Sequence, residues 1–233
     1  MEERLSFSIA LAWILQDSGE SEIHWQELQG LVGNYFQLEE YDDVDHFGGD
    51  IRTSTFLNRN EGGFYQFAHL SFQEYFCARY LVAPPEELGD LFEDILSEPD
   101  ITLADLAYRS SATLDFAGDM LGCPINPYYW QQVREFIATN QDRLINAKGA
   151  DSGRSIDINS VRRMLEMAEG EAAAFELSDM AGAYKNIYRQ LRSAVSEELK
   201  NSHEPEPWLL KLNALLDTGR TSVPEPAEMN DDT

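Results

Sequence analysis

The residues of this chain best suited to chemistry lie in one stretch, from Phe64 to Leu81, which reads FYQFAHLSFQEYFCARYL. His69 and Ser71 are a base and a hydroxyl two positions apart, the residue types of nucleophilic catalysis. No Gly-x-Ser-x-Gly elbow occurs in the chain, although that turn presents the nucleophile in a large class of hydrolases. The segment Ser71 to Glu74 has instead the spacing of a capping box. We expect the Ser71 hydroxyl to accept from the backbone N–H of Glu74 and the Glu74 carboxylate to accept from that of Ser71.

His69 is placed by the elements around it. Alternating bulky and smaller side chains predict a short strand over Phe64 to Ala68, and Thr55 to Arg59 is a second strand candidate. The turn signal Asn-Glu-Gly-Gly between them predicts a hairpin. His69 would then lie two residues before a helix N-cap, where free backbone N–H groups suit an anion and disfavour a protonated imidazole. Contact with an anion and a structural hydrogen bond to a nearby carbonyl both remain open for it.

The helix predicted after His69 has one aromatic face. Phe72, Tyr75, Phe76 and Tyr80 fall at helical spacing along it. Stripes of this kind usually belong to the core of a protein, and we expect these four side chains to be buried there.

Metal and nucleotide sites find little support in the sequence. The four histidines are scattered, and neither His-x-x-x-His nor Cys-x-x-Cys occurs. Asp43-Val44-Asp45 with Gly48 is partly similar to a calcium loop, but Phe47 and Ser54 replace required ligands. The dipeptide Gly-Lys is absent, so the chain has no P-loop. We therefore expect no metal, no cofactor bound by this chain alone and no enzymatic activity of its own.

Composition excludes several classes of function. The chain has 233 residues and 43% hydrophobic content, enough for a packed core, and a net charge of -25 with only four lysines. Such a surface repels nucleic acid and anionic membranes. No apolar run is long enough to span a bilayer, and no signal peptide is evident. Cys77 and Cys123 are too few for a disulfide framework, which favours a cytoplasmic location.

The hydrophobic patterns predict a mainly α fold. The expected unit is a winged-helix domain with a short β-hairpin wing, followed by an α-helical domain. Its boundaries are set at 1–83 for the winged helix, 84–216 for the helical domain and 217–233 for a disordered acidic tail. Helices are expected at Leu5–Gln16, Trp25–Phe36, Glu86–Leu96, Leu103–Leu121, Tyr128–Ile145, Ile158–Lys200 with a break near Gly170 or Gly182, and Trp208–Leu216.

The stretch around His69 resembles the end of the winged-helix domain in NACHT-type STAND NTPases, signalling receptors of animal innate immunity and bacterial antiviral defence. The family pattern runs approximately Phe-x-His-x-Ser-Phe-x-Glu-Tyr/Phe-Phe/Leu-x-Ala. The matching residues here are Phe67, His69, Ser71, Phe72, Glu74, Tyr75, Phe76 and Ala78. The segment from Asp50 to His69 also resembles the family's wing. The resemblance is specific from about Leu5 to Leu81 and weaker from Ala83 to Gly122.

The resemblance implies a role for His69. In the family this histidine reaches the β-phosphate of ADP held in a neighbouring NTPase module and so stabilises a closed, inactive state. This chain would be the C-terminal winged-helix and helical part of such a receptor, or a truncated frame without its NTPase module. ADP or ATP is expected only in the intact receptor.

Two functions of different classes follow. The first is a nucleotide-state-sensing, autoinhibitory segment whose partner is the NTPase module. The second is a free-standing acidic helical adaptor that binds proteins through its helical domain and has no nucleotide role. A P-loop encoded in frame just upstream would favour the first.

Overall fold

The computed structural model describes residues 2–35, 56–82, 101–140 and 177–218. The first two ranges contain α1 (Glu2–Ser18), β1 (Glu22–His24), α2 (Trp25–Tyr35), β2 (Leu57–Arg59), β3 (Phe64–Phe67) and α3 (Leu70–Val82). The last two contain α4 (Leu103–Arg109), α5 (Ser111–Leu121), α6 (Pro127–Thr139), α7 (Leu177–Asn201) and α8 (Pro207–Thr218). The prediction of a mainly α fold is confirmed.

The three strands form a small antiparallel sheet in the order β1-β3-β2. Ile23 pairs with Tyr65, and Tyr65 pairs with Arg59 on its other side. This order, with β2 and β3 as a hairpin and helices before and after β1, is winged-helix topology. The predicted hairpin is therefore confirmed, whereas β1 was not expected because its three residues contain a single buried apolar side chain, Ile23.

The turn of the hairpin depends on a glycine. Gly63 has a φ of 85°, a conformation that L side chains rarely adopt. Its N–H donates to the carbonyl of Asn60 at 3.2 Å, and the N–H of Phe64 donates to Asn60 Oδ1 at 3.0 Å. Strand β3 follows directly, and its length sets the position of His69 beyond the far end of the strand.

Helix α3 is the centre of the core. It packs against both α1 and α5, and its residues Phe76, Cys77 and Leu81 are buried. Trp13 of α1 lies on the ring of Tyr80, with the ring centroids 4.5 Å apart. Because α3 packs against helices on both sides of it in the sequence, the sheet-bearing unit and the helices after it share one hydrophobic core.

The helices after α3 differ in part from expectation. The single helix predicted over Leu103–Leu121 is two helices, separated at Ser110, whose φ is -157° and ψ is 81°. Helix α6 begins where Asn126 caps it through the N–H of Tyr128 and Pro127 takes the first position. Helices α7 and α8 pair through the Tyr188 hydroxyl, which donates to the Leu216 carbonyl at 2.7 Å.

Several predictions fall outside the described residues. They include the helix at Glu86–Leu96, the boundary at residue 83, the faint calcium loop and most of the expected tail. Helix α8 extends to Thr218, two residues into that tail. Among the described helices, none is both long and apolar enough to cross a membrane.

Candidate functional site at the start of helix α3

His69 lies directly before α3, on the exposed surface between the end of β3 and the start of the helix. The backbone N–H of Ser71 donates to His69 Nδ1 at 3.2 Å, and Ser71 Oγ lies 3.0 Å from the same nitrogen. A nitrogen that accepts from a backbone N–H cannot carry its own proton, so the proton of the neutral ring is on Nε2. No residue in the described part of the chain forms a hydrogen bond with Nε2. The ring is thus held as an outward hydrogen-bond donor.

The predicted capping box is wrong. Helix α3 begins at Leu70, one residue before Ser71, so Ser71 lies within the first turn and the imidazole of His69 caps the helix in its place. The physical reason is that the chain has already turned at His69, whose carbonyl accepts from the N–H of Phe72 at 3.0 Å. The N–H groups of Ser71 and Phe72, which were expected to be free, therefore both donate to His69.

The carboxylate of Glu74 has another partner. Glu74 Oε1 accepts from Ser110 Oγ at 3.1 Å, and Ser110 Oγ is 2.9 Å from Thr113 Oγ1. Thr113 is fully buried, and Ser110 separates α4 from α5. Glu74 therefore connects the first part of α3 to the break between the two following helices, at a distance in sequence that no local pattern reveals.

His24 repeats the geometry of His69. It lies directly before α2, and its Nδ1 accepts from the backbone N–H of Gln26 at 3.4 Å. Its ring contacts Phe64 edge-on at a centroid distance of 5.1 Å. In the sequence His24 is only one of four scattered histidines. The signal that could have identified both caps is a histidine at the residue immediately before a helical pattern.

The surface beside His69 is apolar. Leu70 is 61% exposed, Phe56 is 48% exposed and Tyr75 is 39% exposed. Phe56 stacks on Phe72 with centroids 4.4 Å apart and ring planes 25° apart. The expectation that the whole aromatic stripe is core is thus only partly right. Phe76 is in the core, Phe72 and Tyr80 pack against it, and Tyr75 reaches the surface.

The two thiols are poor nucleophiles. Burial, together with the charge of Glu74, raises the pKa of Cys77, whose Sγ donates to the Ala12 carbonyl at 3.2 Å. Burial raises the pKa of Cys123 to about 11, and the charges of Lys185 and Arg189 offset this only in part. Both groups are protonated near neutral pH, as expected for small buried side chains.

The described residues contain no cluster of three or more His, Cys, Asp or Glu side chains that could hold a metal ion. His24, His69 and His203 are therefore not brought together in one ligand set. His46 and the segment Asp43 to Asp45 lie outside the described ranges.

The chain is similar to part of a curated protein. A curated protein of Nostoc sp., an uncharacterized WD repeat-containing protein, is 29% identical over 133 residues. The aligned segment covers 53% of this chain but only 8% of that protein, so this chain spans a small part of the relative's length. No family model matches the chain, and no solved structure matches it.

Proposed function

We propose that this chain is the regulatory segment of a NACHT-type STAND signalling NTPase, and that His69 senses ADP held by the NTPase module. The observation that carries the proposal is the state of the His69 ring. Its Nδ1 is engaged by the N–H of Ser71, which leaves Nε2–H as an exposed donor. A donor of this kind suits a phosphate oxygen.

The mechanism is a two-state switch. In the closed state Nε2–H of His69 donates to the β-phosphate of ADP, and in the open state that contact is absent. The imidazole cap fixes the direction of the donor, while β3 and α3 fix its position. Because α3 packs against α1 and α5, a displacement of His69 would carry the neighbouring helices with it.

The apolar surface around the histidine supports a protein neighbour at this place. Leu70 and Tyr75 in the first part of α3, and Phe56, which stacks on Phe72 of the same helix, are large exposed side chains. Exposed apolar groups rimmed by polar ones are typical of contact surfaces. In the proposed receptor they would rest on the NTPase module and exclude water from the histidine–phosphate contact, which strengthens that contact.

The comparison also favours a segment of a larger protein. The matched part of the Nostoc relative is a small fraction of a long chain whose name reports WD repeats. A small share of a long chain is what a regulatory segment of a multidomain receptor would occupy. A free-standing adaptor, the second function, would need no exposed donor at His69.

The test begins with the DNA upstream of this frame. If a P-loop is encoded in frame, the longer protein is produced with and without the present chain, and bound nucleotide is measured after purification. The proposal expects ADP to be retained only when this chain is present. Equal ADP content in both proteins, or an upstream frame without a P-loop, would favour the adaptor.

A further inference from the structure

A cavity of about 510 Å³ lies between the last turns of α6 and the first turn of α8. Its walls include Phe136 from α6 and Pro207 and Trp208 from α8. Phe136 is half-buried and packs against the hydrophobic core, and Trp208 is buried, with 7% of its surface exposed. The cavity is therefore an aromatic groove that is held by two core helices and is open to solvent on one side.

The indole N–H of Trp208 is an unused donor in this groove. No residue in the described ranges accepts a hydrogen bond from it, although a buried tryptophan usually pairs this group. Trp130 shows the usual case, because its N–H donates to the Pro124 carbonyl at 2.9 Å. Lys211 also borders the groove and forms no ion pair with a carboxylate of the described ranges. A fitting ligand would offer apolar surface to the rings, a carbonyl to the N–H and an acid to the ammonium.

We propose that this groove is a docking site for the segment Val223–Pro226 of the same chain, which reads VPEP and follows α8. Proline-containing segments in the polyproline II conformation bind aromatic-lined grooves, because their apolar rings are already held in an extended backbone. The two prolines pack on the aromatic side chains of the groove. A backbone carbonyl of the segment accepts from the indole N–H of Trp208, and Glu225 pairs with Lys211.

The segment is close enough to reach the groove. Trp208 lies ten positions before Thr218, the last residue of α8, which is about 15 Å along the helix axis. The six residues from Gly219 to Pro224 span up to about 20 Å when extended. Because so short a tether gives an effective concentration in about the millimolar range, a dissociation constant of that order fills half of the grooves.

The charges nearby restrict the kind of ligand. Glu135 also borders the groove, Glu206 directly precedes Pro207, and the chain has a net charge of -25. These carboxylates oppose a run of acids, whereas Glu225 has a proline on each side. The groove therefore selects a proline-containing segment with a single acid rather than acidic peptides in general. This site stands independently of the proposed role of His69.

The test follows the indole signals of the full chain by NMR, with Trp208 as the reporter and Trp130 as the internal control. Replacing both prolines, Pro224→Ala with Pro226→Ala, should move the Trp208 signal and leave the Trp130 signal in place. The Trp208 N–H should also exchange with solvent more slowly in the parent than in this variant. A synthetic peptide of residues 219–233, added to the variant, should return the Trp208 signal toward its parent position and saturate.

Two comparisons decide which contacts hold the segment. A peptide with both prolines replaced by alanine should bind about fivefold or more weakly, because its free form is less restricted. Lys211→Gln, made in the proline-free variant, should weaken binding of the parent peptide about two- to fivefold, as expected for one exposed ion pair. Lys185→Gln removes an equal charge beside Cys123, before the opposite end of α6, and should leave binding unchanged.

Three results would overturn the proposal. The first is a Trp208 signal that is the same in the parent and in the proline-free variant. The second is a peptide that leaves the Trp208 signal of that variant unmoved. The third is a parent Trp208 signal that moves with protein concentration, because the groove would then hold the segment of a second copy.

Discussion

Replacing His69 by alanine should lower the free energy of unfolding by the amount that the cap of α3 contributes. The substitution removes the acceptor of the Ser71 N–H, a bond of 3.2 Å on the exposed surface where water can replace it. Loss of a helix cap costs about 0.5–2 kcal/mol, and exposure places this one near the lower end, about 0.5–1 kcal/mol. In a domain of this size that is a fall in Tm of roughly 1–4 °C.

The assay is urea unfolding followed by circular dichroism, with three matched variants. His69→Asn should recover most of the loss, because an asparagine oxygen caps a helix well. His24→Ala should cost a similar amount at α2, where the same geometry occurs. Ser71→Ala should cost less than His69→Ala, since it keeps the backbone donor. If His69→Ala and His69→Asn melt together, or if Ser71→Ala costs the most, the imidazole does not cap α3.

Three further outcomes are expected. Trp130→Phe should cost about 1–3 kcal/mol in urea melts, because it leaves the buried Pro124 carbonyl without the 2.9 Å bond from the indole N–H; an unchanged midpoint would show that this bond is absent. Burial raises the pKa of Cys123 from 9.0 to about 11, so between those values the unfolded chain loses its thiol proton first and stability falls as pH rises. Cys123→Ala should lose less stability between about pH 8 and about pH 10 than the parent chain, and an equal loss would contradict the burial of the thiol. Fluorescence anisotropy should detect no duplex DNA binding at physiological salt, because a net charge of -25 opposes the phosphate backbone; salt-dependent micromolar binding would refute this.

The elements with strong local patterns could be predicted from the sequence. Helix α1 is apolar on most sides, α2 has its apolar residues at helical spacing, and the hairpin has a glycine-rich turn. The strand β1 could not be predicted, because three residues carry too little pattern. Its pairing with β3 joins two segments that are far apart in the sequence, so no local pattern contains it.

The start of α3 was missed by one residue for a physical reason. The Ser-x-x-Glu spacing is a general signal, and it competed with an imidazole whose Nδ1 reaches the backbone as an asparagine oxygen does. The break at Ser110 was missed because its side chain bonds to Glu74, which is 36 positions away. Neither local propensity nor periodicity contains that contact.

The candidate site was predicted in position but not in detail. His69 lies on the surface at the junction of a strand and a helix, as the sequence indicated. Its fixed tautomer and the exposed apolar groups beside it follow only from the three-dimensional structure. Its contact with a phosphate stays a prediction.

The most direct test of that contact is the dissociation rate of ADP from the longer protein that joins this chain to a P-loop module. One hydrogen bond to a charged phosphate is worth roughly 1.5–3 kcal/mol, which corresponds to about 10- to 150-fold in affinity. His69→Asn keeps the cap of α3, but its shorter side chain does not reach where Nε2 stands. Stopped-flow measurement should show ADP leaving this variant about 10- to 150-fold faster than the parent, with His24→Asn unchanged. Equal rates from folded parent and His69→Asn proteins would show that His69 is a structural cap and not a nucleotide sensor.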